Sequence, residues 1–574
     1  MKLRALIFAI AAASAFPQNE PEIVSHQSPA TFSSRVNLVS VPVVIRDQTG
    51  KAVGGLRQED FQLSDKGHSQ VITKFAVETS AEAAVNAAHP PRPAQPADAA
   101  KEAHPQPQLP ERYIAYFFDD VNLKPGDLLN ARQAANRQMD KTLDAGSRAG
   151  IFTTGGRTTQ DFTSDPAKLH AAVNRIQPWE SAKPDKVQDC WYMSYYVADQ
   201  LINKTFALRP GGAMNANDPL MAAVAADNVQ RCGRPPGNAL GLKLWEVAQQ
   251  ALNFGKYETI TGFYTLLGLI KSMSALPGSR TIVMASPGFI VVDEQRFNEN
   301  DVFDAAIRAN VVINTLDVRG LYTPPGFEAS DRGNGTSIAG GILLQAENDA
   351  ASLSSDILAE FASATGGTFF HNDNGLAEGL QQLAARPEYV YVLGYSPDNL
   401  KYDGSYHRLK VTVRNGAKLT IEARRGYWAP NHAIDAAQQA REAIEDAVFS
   451  REEMLDIPVK LHTEFFKQSE AKAELTVDTH VDMQSVQFKK ADDRNRDSVI
   501  VVTGLFDENG RYVKGTERTF DMKLRDQTLE SARTSGLNVK ESFDVPPGRY
   551  VVRVVVRDAE GRSMAAQSAG VEIP

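Results

Sequence analysis

Two cysteines, Cys190 and Cys232, are all the thiols in a chain of 574 residues. That excludes a disulfide-dense small scaffold and a four-cysteine zinc site. A lone pair in an oxidising compartment more often bridges than serves as nucleophile or metal ligand, so a Cys190–Cys232 disulfide is expected, with two buried free thiols as the alternative. An excess of positive charge is lacking too. With 61 Lys and Arg against 70 Asp and Glu, the formal net charge is -9, whereas nucleic acid and anionic membrane surfaces reward concentrated Lys and Arg. Neither is expected as a partner. No apolar run beyond the first residues approaches the ~18 residues of a membrane helix, so no membrane span is expected. Catalytic signatures are missing as well: there is no His-Glu-x-x-His helix, no Gly-x-Ser-x-Gly elbow and no Walker-type loop, and the ten histidines fall in no ligand spacing. The expectation is a protein that is not an enzyme.

At 42% hydrophobic and 23% charged residues the composition is that of a globular chain. Its length suits about three or four domains of roughly 150 residues each. Lys2 and Arg4, the apolar stretch Ala5 to Ala13 and the small-residue site Ala13-Ser14-Ala15 read as a cleavable signal peptide over residues 1–15. An extracytoplasmic location, secreted or periplasmic, follows. Residues 31–79 carry short strands separated by Gly/Asp turns, an N-terminal β module too small to fold easily alone. Residues 80–110, rich in Ala and Pro, read as a linker without a core.

From Arg112 the pattern alternates strands with helices, the signature of a parallel sheet with crossover connections. The first strand, Tyr113-Ile114-Ala115-Tyr116-Phe117-Phe118, is apolar throughout, as a strand buried on both faces must be. It stops at Asp119 and Asp120, followed by Val121-Asn122. Open sheets of this kind place ligands at their carboxyl edge, so these residues are the leading candidates for function. The alternation runs over residues 111–429, with helices near 241–254 and 263–275. It is interrupted by an insertion over 179–240 that holds both cysteines and the aromatics Trp179, Trp191, Tyr192, Tyr195 and Tyr196. These rings are expected to fill the insertion's own core, the alternative being a ligand-stacking platform. Residues 430–452 suit a connector helix, and 455–574 show seven short alternating strands, as in an immunoglobulin-like sandwich.

Four stretches together carry a family resemblance: the first strand into Phe118-Asp119-Asp120; Arg280 to Phe289; Thr315 to Leu321; and the closing Tyr391 to Pro397 with Tyr406 to Val411 and Arg424-Arg425-Gly426-Tyr427. Over residues 35–430 the chain resembles the von Willebrand factor type A-related proteins of the acidobacterial secreted family. The resemblance implies an α/β fold. It is a doubly wound, mostly parallel, Rossmann-like sheet flanked by the small N-terminal β module and the C-terminal immunoglobulin-like β-sandwich.

Type A domains hold a divalent cation such as Mg²⁺ through an Asp-x-Ser-x-Ser motif, a Thr from a second loop and an Asp from a third, an oxygen set that suits hard cations. Here the pattern is degraded. Asn122 replaces the first Ser, Lys124 stands where the second should be, Thr259 or Thr261 would be the second-loop Thr, and Ser286-Pro287-Gly288 replaces Ser-Asp-Gly. Asp119, Asp120, Asn122 and Thr259 are the metal-site candidates the resemblance implies; the plain alternative is two carboxylates that cap a turn.

The expected function is a secreted, non-catalytic binding or adhesion-type protein that presents Asp119, Asp120 and Asn122 to a protein or extracellular polymer. Two alternatives are an envelope enzyme or enzyme-associated subunit with its site in the insertion, and a structural component of a surface assembly.

Overall fold

The strand Arg112–Phe118 is buried at every residue, and its side chains divide by parity between two cores. Ile114, Tyr116 and Phe118 pack into one, Tyr113, Ala115 and Phe117 into the other, as the two-residue period of a strand requires. The computed structural model describes residues 21–30, 39–48, 51–79, 107–179, 190–236, 239–321, 338–385, 389–395, 405–414, 416, 418–429, 436–451 and 453–574. The signal peptide expected over 1–15 and most of the linker expected over 80–110 lie outside the described residues.

In chain order, the first strands are β1 (Ile23–Pro29), β2 (Val39–Arg46), β3 (Phe61–Asp65) and β4 (Lys74–Thr79). Then come β5 (Arg112–Phe118), α1 (Pro125–Thr142), β6 (Ser147–Thr153), β7 (Gln160–Thr163) and α2 (Pro166–Arg175). After these follow α3 (Pro219–Cys232), α4 (Leu240–Ser274), β8 (Ser279–Ser286), α5 (Arg296–Arg308), β9 (Val311–Asp317), α6 (Ile338–Thr365), β10 (Phe369–Phe370) and α7 (Leu376–Ala384). β11 (Tyr389–Tyr395), β12 (Tyr406–Val413), β13 (Thr420–Ala423), β14 (Gly426–Trp428) and α8 (Ala436–Phe449) lead to the last strands, β15 (Val459–Ser469), β16 (Lys472–Val481), β17 (Arg494–Asp507), β18 (Tyr512–Leu524), β19 (Leu537–Val545), β20 (Gly548–Asp558) and β21 (Met564–Ile573).

The doubly wound, mostly parallel architecture expected from the resemblance is overturned by the pairing of these strands. Antiparallel sheets dominate, and the central six-stranded sheet, ordered β10-β9-β8-β5-β6-β7, is mixed, because β7 runs antiparallel to β6. The strands at 389–428, expected to close the central domain, instead join the N-terminal ones in two four-stranded antiparallel sheets. One is ordered β13-β2-β11-β4; the other is ordered β14-β12-β3 with His68–Gln70. A local strand-helix rhythm reports which connections are crossovers. It carries no information on which distant strands share a ladder. Asp65 fastens this pair of sheets: its buried carboxylate accepts from Tyr395 Oη at 3.0 Å and Tyr427 Oη at 2.8 Å and lies 2.9 Å from His407 Nδ1.

The C-terminal strands also depart from the immunoglobulin-like arrangement. A three-stranded sheet, β15-β16-β19, faces a seven-stranded one that follows β1-β18-β17-β20-β21 and Met454–Leu455, with Lys489–Ala491 beside β17. An immunoglobulin-type sandwich sets four strands against three. The difference arises partly because β1, too polar to read as a strand, adds itself to β18 from the far end of the chain. The β17–β18 turn docks on the amino end of the central sheet, where Tyr113 Oη donates to Asn509 O at 2.8 Å and Arg148 Nη2 to Glu508 O at 2.7 Å.

Helix starts follow local chemistry. Asp165 accepts from Ala167 N at 2.9 Å and Asp218 from Met221 N at 2.8 Å, each ahead of a proline at the first helical position. The two helices expected over 241–275 are one, α4. The Thr/Gly-rich stretch between them stays helical because Glu258, Thr259 and Phe263 are buried, so tertiary packing overrides weak propensity. The insertion has its own core of Met193, Val197, Leu201, Met221, Val224 and Leu244, against which Trp191, Tyr195 and Tyr196 pack. Cys190 and Cys232 are disulfide-bonded, with Cα atoms 5.4 Å apart. The insertion's ionisable residues Glu180, Asp185, Lys186 and Asp189, on which the alternative of an enzymatic site there would draw, lie outside the described residues.

Candidate functional site

Asp119 and Asp120 sit where β5 ends, and each carboxylate holds a different neighbour. Asp119 is 1% exposed. Its Oδ2 accepts from Ser286 Oγ at 2.6 Å, its Oδ1 from Asn122 N at 3.2 Å, and the Asn122 side-chain amide donates to both oxygens at 3.1 Å. The serine just ahead of Pro287, which stands where the type A pattern has its third acid, therefore ties β8 to β5. Its oxygen in turn accepts from Gly288 N at 2.9 Å. Burial holds the Asp119 carboxyl above the ordinary aspartate range, while the Ser286 and Asn122 hydrogen bonds pull the other way.

Asp120 reaches sideways to the β6–β7 loop. Its Oδ1 accepts from Gly155 N at 2.7 Å, and its backbone carbonyl accepts from Trp179 N at 2.7 Å. Burial raises this carboxyl as well; the Gly155 amide opposes that shift and the charge of Asp119 adds to it. Gly155 lies against the Trp179 ring so closely that a Cβ there would stand 2.1 Å from a ring carbon. On the solvent side the Arg157 guanidinium carbon lies 4.1 Å from the centre of the Trp179 ring, a cation–π pair. Trp179 thus belongs to the sheet edge, apart from the aromatics of the insertion.

Helix α4 borders the same loop. Thr265 Oγ1 donates to Thr154 O at 3.0 Å, and Tyr257 and Tyr264 stand 62% and 63% exposed on its outer face. Seven residues apart, these two positions are about 10.5 Å from one another along the helix axis at 1.5 Å per residue. A cavity of about 10 Å³ lies inside this edge, lined among others by Asn122, Thr154, Glu258, Thr259 and Phe263. That is room for about one water, not for a substrate. It brings together two of the four metal-site candidates, Asn122 and Thr259, with Glu258, which no motif had marked.

The donor set does not suit a divalent cation in this arrangement. Both oxygens of Asp119 already accept from neutral donors, and Asp120 Oδ1 holds Gly155. Thr259 lies inside a helix, not on a loop, and its hydroxyl donates to Ile290 O at 3.1 Å. A cation needs those same lone pairs. Among the described residues no three His, Cys, Asp or Glu side chains converge in a group able to hold a metal. Asp317, the carboxylate at the end of β9, is paired with Arg319 at 2.7 Å. No helix among the described residues is long and apolar enough to cross a membrane.

No protein-family model and no curated protein matches the chain. Among solved structures, the three N-terminal domains of the type V pili tip protein Mfa5 from Porphyromonas gingivalis align at 10% identity over 95% of this chain and 79% of that one, with a TM-score of 0.19. A β-glucosidase from Kluyveromyces marxianus in complex with glucose aligns at 10% identity over 54% of this chain and 33% of that one, with a TM-score of 0.12. Likenesses this slight carry no argument about fold or function.

Proposed function

We propose that the chain is a secreted, non-catalytic binding protein whose recognition surface is the carboxyl edge of the central sheet. The observation that carries this reading is the use made of Asp120: a buried acid spends its hydrogen bonds on fixing a solvent-facing Arg157–Trp179 pair. A cationic side chain stacked on a rigid indole, beside exposed tyrosines on a helix, is the composition of a contact surface for a protein or an extracellular polymer. Aromatic and arginine anchors dominate such surfaces. Asp119, Asp120 and Asn122 act beneath it, as its frame. Export is supported by the basic and apolar start of the chain and by the disulfide.

The test is to titrate the mature chain with a panel of purified extracellular polysaccharides and with an extended polypeptide, reading tryptophan fluorescence, beside Trp179→Ala, Arg157→Ala and Tyr264→Ala. Saturable binding that falls at least about fivefold in the variants, an anchor's loss of roughly 1 kcal/mol or more, supports the reading. Binding that all three variants retain unchanged would overturn it, and so would a wild-type chain that binds nothing in the panel.

A further inference from the structure

Strand β1 is attached to the molecule without burying a side chain. All seven of its residues are exposed, yet they pair in unbroken antiparallel register with β18, from Ile23 opposite Met522 to Pro29 opposite Thr516. Beyond the ladder, what keeps it in place is polar. Ahead of the strand, the Glu22 carboxylate lies 3.2 Å from Arg494 Nη1 and 3.2 Å from Arg525 Nε and accepts from Arg525 N at 3.1 Å. In the middle, Gln27 accepts from Arg518 Nη2 at 2.8 Å and donates to Glu541 Oε2 at 2.9 Å. Behind it, Ala30 is buried and bonded through its amide to Gly515 O and through its carbonyl to Tyr512 Oη, both at 3.1 Å.

Take β1 away and β18 becomes the outer strand of its sheet, since β1 is its neighbour on that side. The N–H and C=O groups of residues 516–522 that point toward β1 would then be unpaired, while those facing β17 stay bonded, the situation that invites another chain to add a strand. The edge also carries a charge code: two arginines where the incoming chain must bring a carboxylate, and Arg518 with Glu541 where it must bring an amide. The segment that fits this code on the page is Glu22–Ala30 itself. Every copy of the chain owns one such donor and one such acceptor.

We propose that Glu22–Ala30 is an exchangeable strand and that the β18 edge accepts the same segment from a second copy of this chain. Exchange remakes every contact it breaks, so its cost is confined to opening. The sparse burial of β1 keeps that cost low. Reciprocal exchange closes a two-fold dimer; one-way exchange passes the strand from copy to copy and builds a linear array.

The experiment mixes two full-length chains, His26→Cys and Thr519→Cys, positions that face each other in the register, under mild oxidation with the native disulfide intact. The expected result is a mixed disulfide-linked dimer that exceeds either homodimer several-fold and is lost when Glu22→Lys is added to the His26→Cys chain. The doubly substituted chain is the control, expected to close its own crosslink when dilute. Internal closure in the control with no mixed dimer overturns the proposal, because the strand then stays at home. Absence of both crosslinks overturns it too, because the register on which it rests is then not formed.

Discussion

Replacing Asp119 by alanine removes the acceptor that Ser286 and Asn122 share and leaves their donors in a site that is 1% exposed. Each buried donor left unsatisfied costs about 1–3 kcal/mol, so with the Ser286 hydroxyl and the Asn122 amide orphaned the loss should be about 2–6 kcal/mol. Asp119→Asn is expected to behave differently. It keeps one acceptor oxygen, the Ser286 hydroxyl can turn to accept from the new amide, and the cost of burying a charge disappears; the net change should stay below about 1.5 kcal/mol. The two variants also differ from wild type in pH dependence. Because burial raises the Asp119 carboxyl in the folded protein, its contribution is fully present below the unfolded value near 3.8 and is lost as pH rises toward the folded one. Denaturant unfolding from pH 4 to pH 8 should therefore show Asp119→Asn gaining on wild type as pH rises. An Asp119→Ala loss under about 1 kcal/mol, or an Asn variant that keeps the wild-type slope, would refute the assignment of Asp119 as a buried frame.

Three further outcomes are expected. Gly510 has φ +75° and a Cβ there would stand 1.8 Å from Tyr113 Oη, so Gly510→Ala should cost about 2–4 kcal/mol through backbone strain and the displaced hydrogen bond, read as a lowered thermal midpoint. Cys190→Ser with Cys232→Ser opens a cross-link spanning a sequence separation of 42 and should cost about 4 kcal/mol in the chain-entropy account, visible as earlier proteolysis of the insertion. Glu299, 2% exposed, is raised above its ordinary 4.5 by burial and by sharing a hydrogen bond with Glu360, against the pull of Arg296. The stability it confers is present in acid and declines as pH climbs above 4.5, so Glu299→Gln should flatten that decline in melts taken from pH 5 to pH 9.

What could be read from residues alone was what is local. The apolar run 113–118 marked a strand buried on both faces, Asp165-Pro166 marked a helix start, and a lone pair of cysteines marked a bridge. The pairing of 39–79 with 389–428 was not legible, because ladder partners some 300 residues apart leave no trace in either segment's pattern. β1 escaped for a related reason: with no buried face it has no alternation to detect. At the sheet edge, Asp119, Asp120 and Asn122 were found because a strand ended on them. Their hydrogen bonds to Ser286 and Gly155 were not, because those partners come from other strands and loops. Arg157 and Trp179 meet only because the Gly155 loop folds back over Asp120. A spacing argument that joins neighbours in sequence could not have paired them.

The most direct test of the claim that Asp119 and Asp120 build the edge is calorimetric titration of the metal-stripped protein with Mg²⁺, Mn²⁺ and Ca²⁺, beside Asp120→Ala. With both Asp119 oxygens held by Ser286 and Asn122 and Asp120 Oδ1 held by Gly155, no saturable heat is predicted with any of the three cations in either protein. Stoichiometric binding to the wild type that disappears in Asp120→Ala would contradict the account and restore a cation to the edge of the sheet.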